Sequence, residues 1–221
     1  MRVDWHGQSA FTLDGEAATV FIDPFGDMSK WAGDGWKYPA ITSPPDTDLL
    51  IVTHEHGDHN AVEVITGEPA LVRSVAGTHE SPLGEVVAIA SEHDEAAGTE
   101  RGPNTIVVFD LDGIRVCHFG DFGQAALRPE QRAHLDGIDL LFLPVGGGPT
   151  LDGPTAAKIA LDLGPSWVVP MHYKTPKISF LETEESFVAA MPKTERLSSS
   201  SFETAELEKG DEPLVILPAA P

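Results

Sequence analysis

Cysteine is almost absent from this sequence, which contains only Cys117. A single cysteine cannot form an intramolecular disulfide, and it cannot supply the thiolate cluster found in many zinc sites. Any metal site in the chain must therefore use nitrogen and oxygen donors. The sequence is well supplied with both, because it contains 9 histidines and 35 acidic residues.

Positive charge is scarce as well, since 14 lysines and arginines oppose 35 acidic residues and leave a formal net charge of -21. Such a chain repels the phosphate backbone on which nonspecific nucleic-acid binding depends. We therefore expect no nucleic-acid partner. Solubility, or adaptation to a salty cytoplasm, is the simplest explanation of the acidity.

Long apolar runs are missing too. No stretch of about 18 apolar residues exists, and the first residues include Arg2 and Asp4, which does not match a usual signal peptide. We expect a cytoplasmic protein with no membrane contact. A chain of 221 residues with 41% hydrophobic content favours one domain over residues 1–221.

Imidazole is concentrated in one short motif, His54-Glu55-His56-Gly57-Asp58-His59, which directly follows the apolar residues 49–52. Imidazole and carboxylate are the usual ligands of zinc and its borderline neighbours. The motif holds more donors than one ion can use. It therefore predicts two divalent metal ions, with Zn²⁺ as the first choice and Mn²⁺ or Fe as alternatives.

Short strands and helices are predicted around this motif. Hairpins are indicated around residues 14–16 and 112–113. Further strands are predicted at residues 49–53, 86–90, 138–143, 167–172 and 214–217, and helices at residues 60–66, 129–135, 154–163 and 182–191. Residues 25–48 form a long aromatic loop, which serves either as a lid or binding loop or as an anchor to the core.

Three more potential ligands follow predicted strands further along the chain: His93, Asp121 and His172. Ligands at the ends of neighbouring strands can meet above one edge of a sheet. His118 precedes Asp121 on the same run but falls on the other face of the strand. We interpret it as a structural residue or as a support for a ligand.

This order of ligands resembles the pattern of the metallo-β-lactamase superfamily, in which the His-rich motif is followed by a lone His, a lone Asp and a final His. The chain looks most similar to its compact branch of metal-dependent hydrolases related to ascorbate-6-phosphate lactonase. The residues that carry this resemblance are Gly7-Gln8-Ser9-Ala10-Phe11, Ile22-Asp23-Pro24, His118-Phe119-Gly120-Asp121, Pro144-Val145-Gly146-Gly147 and Pro170-Met171-His172-Tyr173. The resemblance reaches about residue 180 and implies an α/β (α+β) fold, a four-layer αββα sandwich with metals at one edge.

The resemblance also implies a role for each ligand. It assigns His54, His56 and His93 to the first metal, Asp58, His59 and His172 to the second, and Asp121 as a bridge. Such a centre would use metal-activated hydroxide to hydrolyse a small ester, lactone or phosphodiester. Asp58 and Asp121 are then the catalytic carboxylates, and Asp58 could act either as a ligand or as the base.

Substrate contacts are less clearly marked. Lys174 could offer a cation to an anionic substrate, Arg101 and Asn104 follow His93 closely, and Trp36 lies in the aromatic loop; each also has a simple structural interpretation. We expect a small-molecule substrate, and the oligomeric state stays open, a homo-oligomer included. A di-iron protein with redox or oxygen chemistry and a noncatalytic, metal-stabilised binding protein remain alternatives.

Overall fold

The computed structural model describes the backbone of residues 1–221 and every side chain except that of Ala32. Within these residues the chain forms a six-stranded and an eight-stranded sheet. The first contains β1 (Arg2–Gly7), β2 (Ala10–Asp14), β3 (Thr19–Ile22), β4 (Leu49–Val52), β5 (Ala70–Arg73) and β13 (Ser201–Glu203). Their spatial order is β13-β1-β2-β3-β4-β5.

The second sheet contains the remaining strands of the described chain. They are β6 (Gly77–Ser81), β7 (Gly84–Glu92), β8 (Pro103–Leu111), β9 (Ile114–His118), β10 (Leu140–Pro144), β11 (Trp167–Met171), β12 (Lys193–Arg196) and β14 (Leu214–Leu217). Their spatial order is β12-β14-β11-β10-β9-β8-β7-β6. β10 and β11 are parallel neighbours and buried along their whole length, as expected for central strands with both faces covered.

Alternate residues of the first sheet enter different cores, because successive side chains of a strand point to opposite faces. Phe11 and Ile22 belong to the main hydrophobic core, which joins the two sheets. Phe11 packs there on Phe142 of β10, with ring centroids 4.4 Å apart. Phe21 and Leu50 belong to a smaller core on the outer face.

Helices cover the outer faces only in part. They are α1 (Ser29–Ala32), α2 (Pro129–Arg132), α3 (Gly153–Leu163) and α4 (Glu185–Ala190). The Asp152 side chain accepts a hydrogen bond from the Thr155 backbone N–H at the start of α3, and Gly164 ends this helix in the left-handed conformation. α3 packs on β10 and α4. No helix in the described part of the chain is long and apolar enough to cross a membrane.

The aromatic loop at residues 25–48 lies over the smaller core. Trp36 and Tyr38 are buried there against Phe25, with ring centroids 5.1 and 6.0 Å from the Phe25 ring. Trp31, in contrast, is 84% exposed. The loop is therefore anchored through Trp36, and a short α1 interrupts it.

The helix predicted at residues 60–66 is wrong. Only a single 3-10 turn forms, at Val62–Val64. β-branched side chains crowd a helix, and three of them lie at Val62, Val64 and Ile65. Gly67 then turns the chain with a φ of 84°. The helices predicted at 129–135 and 182–191 are present but shorter, as Pro129–Arg132 and Glu185–Ala190.

Both predicted hairpins are confirmed, by the antiparallel pairs β2–β3 and β8–β9. Five strands were not predicted from the sequence: β1, β5, β6, β12 and β13. Four of these are edge strands, where one row of backbone groups is open and the apolar alternation is weak. β1 does carry a signal, since buried Val3 and Trp5 alternate with more exposed neighbours.

Candidate metal centre

The residues that follow β4, β7, β9 and β11 place seven potential ligands at one edge of the two sheets. They form two groups: His54, His56, His93 and Asp121 in the first, and Asp58, His59 and His172 in the second. Within each group the donor atoms lie within 4.8 Å of one another. The structure thus brings together every residue for which the sequence predicted a ligand role.

Asp121 lies between the two groups. Its Oδ2 is 3.0 Å from His93 Nε2 and 3.8 Å from His54 Nε2 in the first group. The same oxygen is 3.2 Å from His172 Nε2 and 3.3 Å from His59 Nε2 in the second. One buried carboxylate oxygen therefore faces imidazole nitrogens of both groups, which is the geometry expected of a bridging ligand.

Burial and mutual charge shift the protonation of these groups. Burial raises the pKa of Asp121, but the charges of His172 and His59 outweigh this effect and hold the pKa well below its ordinary value. Burial lowers the pKa of His59, but the carboxylates of Asp121, Asp58 and Asp23 raise it well above its ordinary value. Burial, followed by the charge of His59, moves the pKa of His54 well below its ordinary value.

The second ring nitrogen of each buried histidine ligand is held by another group. Nδ1 of His59 lies 2.9 Å from Asp23 Oδ2, and Nδ1 of His93 lies 2.9 Å from a backbone oxygen. Nδ1 of His54 and His172 lie 3.1 and 3.4 Å from threonine hydroxyls. These contacts leave each Nε2 directed to the centre, which is how proteins orient imidazole ligands.

The donor set fits divalent metal ions. His54 Nε2 and His59 Nε2 are buried and have no hydrogen-bond partner among the described residues. A buried polar atom without a partner is costly, and a bound cation would satisfy both nitrogens. The same positive charge would face the buried Asp121 carboxylate, whose Oδ2 lies 3.3 Å from His59 Nε2.

Asp23 is a supporting residue whose role was not predicted from the sequence. It is fully buried and accepts hydrogen bonds from the Thr53 backbone N–H at 2.8 Å and the Thr53 hydroxyl at 2.7 Å. Its third contact is the one with His59. The available signal was an acidic residue placed directly at the end of an apolar strand, before Pro24.

The turn between β1 and β2 also supports the centre. The Gln8 side-chain amide donates to Asp58 Oδ2 at 3.1 Å, and the Gln8 backbone carbonyl accepts the His172 backbone N–H at 3.3 Å. Gln8 has a φ of 52° and is buried. A strained, buried polar residue of this kind is typical of functional sites. In the sequence, Gln8 is marked only by the family resemblance.

Asn104, predicted to contact substrate, instead holds the backbone of Asp121. It is buried, accepts the Asp121 backbone N–H at 3.0 Å, and donates to the Ser91 hydroxyl and the Phe119 carbonyl. A Cβ at Gly120 would overlap its amide oxygen, so this close approach requires glycine. Most of the amide's hydrogen-bonding capacity is therefore already used.

His118 supports the same segment. Nε2 contacts the Ser9 carbonyl at 3.1 Å, and Nδ1 accepts the Gly120 backbone N–H at 3.1 Å. This arrangement places the proton of a neutral ring on Nε2. Burial lowers the His118 pKa and favours that neutral form.

The other predicted substrate residues lie in different places. Trp36 is buried in the smaller core, away from the ligand groups. Lys174 is exposed and lines a cavity with Glu184 and Arg196 that contains none of the ligands. Arg101 lines a cavity of about 200 Å³ that also contains His54 and His56. Of the four residues, only Arg101 offers an exposed polar side chain beside the ligands.

Two facing sheets with His and Asp donors at one edge define a metallo-β-lactamase-fold hydrolase. A family described as the beta-lactamase superfamily domain matches residues 2–172. The chain belongs to this superfamily and, within it, to the UPF0173 metal-dependent hydrolases.

Three relatives illustrate the similarity. A UPF0173 metal-dependent hydrolase from Nitratidesulfovibrio vulgaris is 32% identical over 201 residues, which cover 79% of this chain and 80% of the relative. Another, from Thermococcus kodakarensis, is 28% identical and covers 96% of this chain and 98% of its own. A crystal structure from Thermotoga maritima, assigned to the Zn-dependent hydrolases of the metallo-β-lactamase superfamily, is 27% identical, covers 99% of both chains and has a TM-score of 0.76.

Proposed function

We propose that this protein hydrolyses an ester bond in a small molecule, within a carboxylic ester, a lactone or a phosphodiester. Two divalent metal ions, with Zn²⁺ as the first choice, would be held by the two ligand groups. The observation that carries the proposal is the position of Asp121 Oδ2 between imidazole nitrogens of both groups. No serine or cysteine nucleophile is needed for this chemistry.

When bound, two such ions would activate a water molecule and polarise the bond that is cleaved. The chain supplies the geometry and the proton acceptor. Asp58, whose side chain is 21% exposed, is more open to solvent than Asp121, which is 3% exposed. Asp58 is therefore the carboxylate better placed to accept a proton from an entering water. The hydrogen bond from Gln8 holds it in that position.

The remaining properties of the chain agree with a small cytoplasmic substrate. The one cysteine is buried and forms no disulfide, as is usual in a reducing compartment. The net charge of -21 disfavours a nucleic-acid substrate. We therefore propose cytoplasmic hydrolysis of a small molecule.

Metal analysis tests the centre directly. Protein purified without added metal should contain about two divalent ions per chain, and zinc should give no visible absorption band. A His59→Ala variant should lose the ion of the second group in particular. Two iron atoms with visible absorption would favour the redox alternative, whereas a chain that binds no metal would contradict the proposal.

Hydrolysis should be measured on a panel of lactones, carboxylic esters and phosphodiesters. Asp58→Ala and His59→Ala should each reduce turnover by at least about 100-fold while the protein stays folded. His79→Ala is a matched control, because His79 lies on β6 outside both ligand groups and its ring is hydrogen-bonded to the Val75 backbone carbonyl. Full activity in both ligand variants would exclude this mechanism, and turnover of no panel member would favour the noncatalytic alternative.

A further inference from the structure

Arg101 differs from the other arginines in its electrostatic surroundings. Each of the others forms a salt bridge with a carboxylate: Arg2, Arg73, Arg115, Arg128, Arg132 and Arg196. Arg101 has no such partner among the residues that the structure describes. A guanidinium group offers five N–H donors, so its binding capacity is still available.

The backbone that carries Arg101 is tied to a metal ligand. The His93 backbone N–H donates to the Gly102 carbonyl at 3.1 Å. The loop of residues 94–102 therefore begins and ends beside the metal ligand His93. The Asp94 carboxylate accepts backbone N–H groups from inside this loop, including that of Arg101 at 2.8 Å. The others come from Ala96, Gly98 and Glu100. These hydrogen bonds organise the loop before any ligand binds.

The surrounding cavities leave Arg101 as the available cation. The cavity of about 200 Å³ contains one carboxylate, Glu55, which forms a salt bridge with Arg73 at 2.7 Å and accepts hydrogen bonds from Ser74 and Asn60. Glu55 is thus already engaged. Arg101 also lines a neighbouring cavity of about 420 Å³ that reaches Thr150, a residue beside His172.

We propose that Arg101 binds a single anionic group of the substrate, a carboxylate or a phosphate, at the end remote from the cleaved bond. This inference rests on the proposed hydrolytic function and names its substrate class. Guanidinium groups bind both anions through paired hydrogen bonds. The two cavities that Arg101 lines, of about 200 and 420 Å³, are no larger than those that small-molecule ligands occupy. Glu95 and Glu100, which line the larger cavity, disfavour further negative charge.

Binding of matched anions to the zinc-loaded protein tests this proposal. The probes are succinate, glutarate and adipate, each compared by calorimetry with its monoamide, which keeps one carboxylate and neutralises the other end. For at least one chain length, the dicarboxylate should bind about tenfold more tightly than the monoamide, as expected for a charge-assisted hydrogen bond. Arg101→Ala should remove this preference, and Arg101→Lys should retain part of it.

Arg115→Ala is the matched control, because Arg115 lies on β9 and pairs with Asp110. It should leave the preference unchanged. Equal binding of every dicarboxylate and its monoamide by the unmodified protein would overturn the proposal. A preference that persists in Arg101→Ala would also overturn it.

Hydrolysis separates this proposal from the proposed function. The neutral 4-nitrophenyl butyrate and the anionic 4-nitrophenyl hydrogen glutarate differ mainly at the distal end. If both are hydrolysed and Arg101→Ala raises KM for the anionic ester alone, both proposals are supported. If both are hydrolysed and Arg101→Ala has the same KM values as the unmodified protein, only the proposed role of Arg101 is contradicted. If neither these esters nor the wider panel is hydrolysed, the proposed function fails, while the calorimetry still decides whether Arg101 binds anions.

Discussion

Asp23→Asn tests how strongly the second ligand group depends on its buried support. In the native protein, Oδ1 of Asp23 accepts the Thr53 backbone N–H, and Oδ2 faces both the Thr53 hydroxyl and His59 Nδ1. Asparagine keeps the shape but has only one oxygen. Its NH₂ group must therefore face a donor on one of these two sides.

The size of the effect follows from these contacts. Hydrogen bonds to a charged group contribute about 1.5–3 kcal/mol each, and a buried donor left without an acceptor adds a desolvation cost. We expect Asp23→Asn to lower the free energy of unfolding of the metal-free protein by about 3 kcal/mol. Loss of a group that orients a metal-bound histidine typically weakens metal binding by about 10–100-fold. That loss should fall mainly on the site that contains His59.

The assay combines urea unfolding in the presence of a chelator with zinc titration against a coloured competing chelator. Asp112→Asn is the control, because Asp112 accepts only the backbone N–H groups of Glu16 and Ala17 and lies outside the ligand groups. It should cost about 1 kcal/mol and leave zinc affinity unchanged. Unchanged affinity at both zinc sites in Asp23→Asn would refute the supporting role of Asp23.

Three further predictions concern the backbone beside Asp121, a carboxylate outside the ligand groups, and the metals themselves. In urea unfolding, Gly120→Ala should lower the free energy of unfolding by more than Gly113→Ala does. Both glycines have a positive φ, but of the two only Gly120 lacks space for a Cβ. Equal losses of unfolding free energy would contradict this prediction. Burial raises the pKa of Asp139, but the hydrogen bond from Lys209 outweighs this effect and holds the pKa below its ordinary value. This stabilisation is present above about pH 4 and is lost as the pH falls through the lowered pKa. Asp139→Asn should therefore narrow the difference between the unfolding free energies measured at pH 7 and pH 3. An unchanged difference would exclude a stabilising role for the Asp139 carboxylate. Removal of metal with a chelator should lower Tm by about 10 °C, and an unchanged Tm would show that the metals add no stability.

The ligands were predictable because each one follows an apolar run that forms a strand. His93 comes directly after β7, and His172 directly after β11. The helical layer was harder to predict. Residues 60–66 precede Gly67, a residue typical of helix ends, yet their β-branched side chains leave only the turn at Val62–Val64.

Apart from His118, the supporting residues could not be identified from local pattern. Gln8 meets Asp58 across 50 positions of sequence, and Asp23 meets His59 across 36. Asn104 and Arg101 are three residues apart, but the first is buried against the Asp121 backbone and the second lies exposed beside the ligands. Nothing in their spacing distinguishes these roles.

The sequence by itself determined which donor atoms are available, because one cysteine and a dense His-Asp motif allow only a nitrogen and oxygen site. It also determined the strands that carry the ligands, through apolar runs that need burial. Only the tertiary structure decided that Asp121 lies between both groups and that Arg101, rather than Lys174, is the cation beside them. These distances depend on how the two sheets pack through their shared core, and that packing joins residues far apart in the chain.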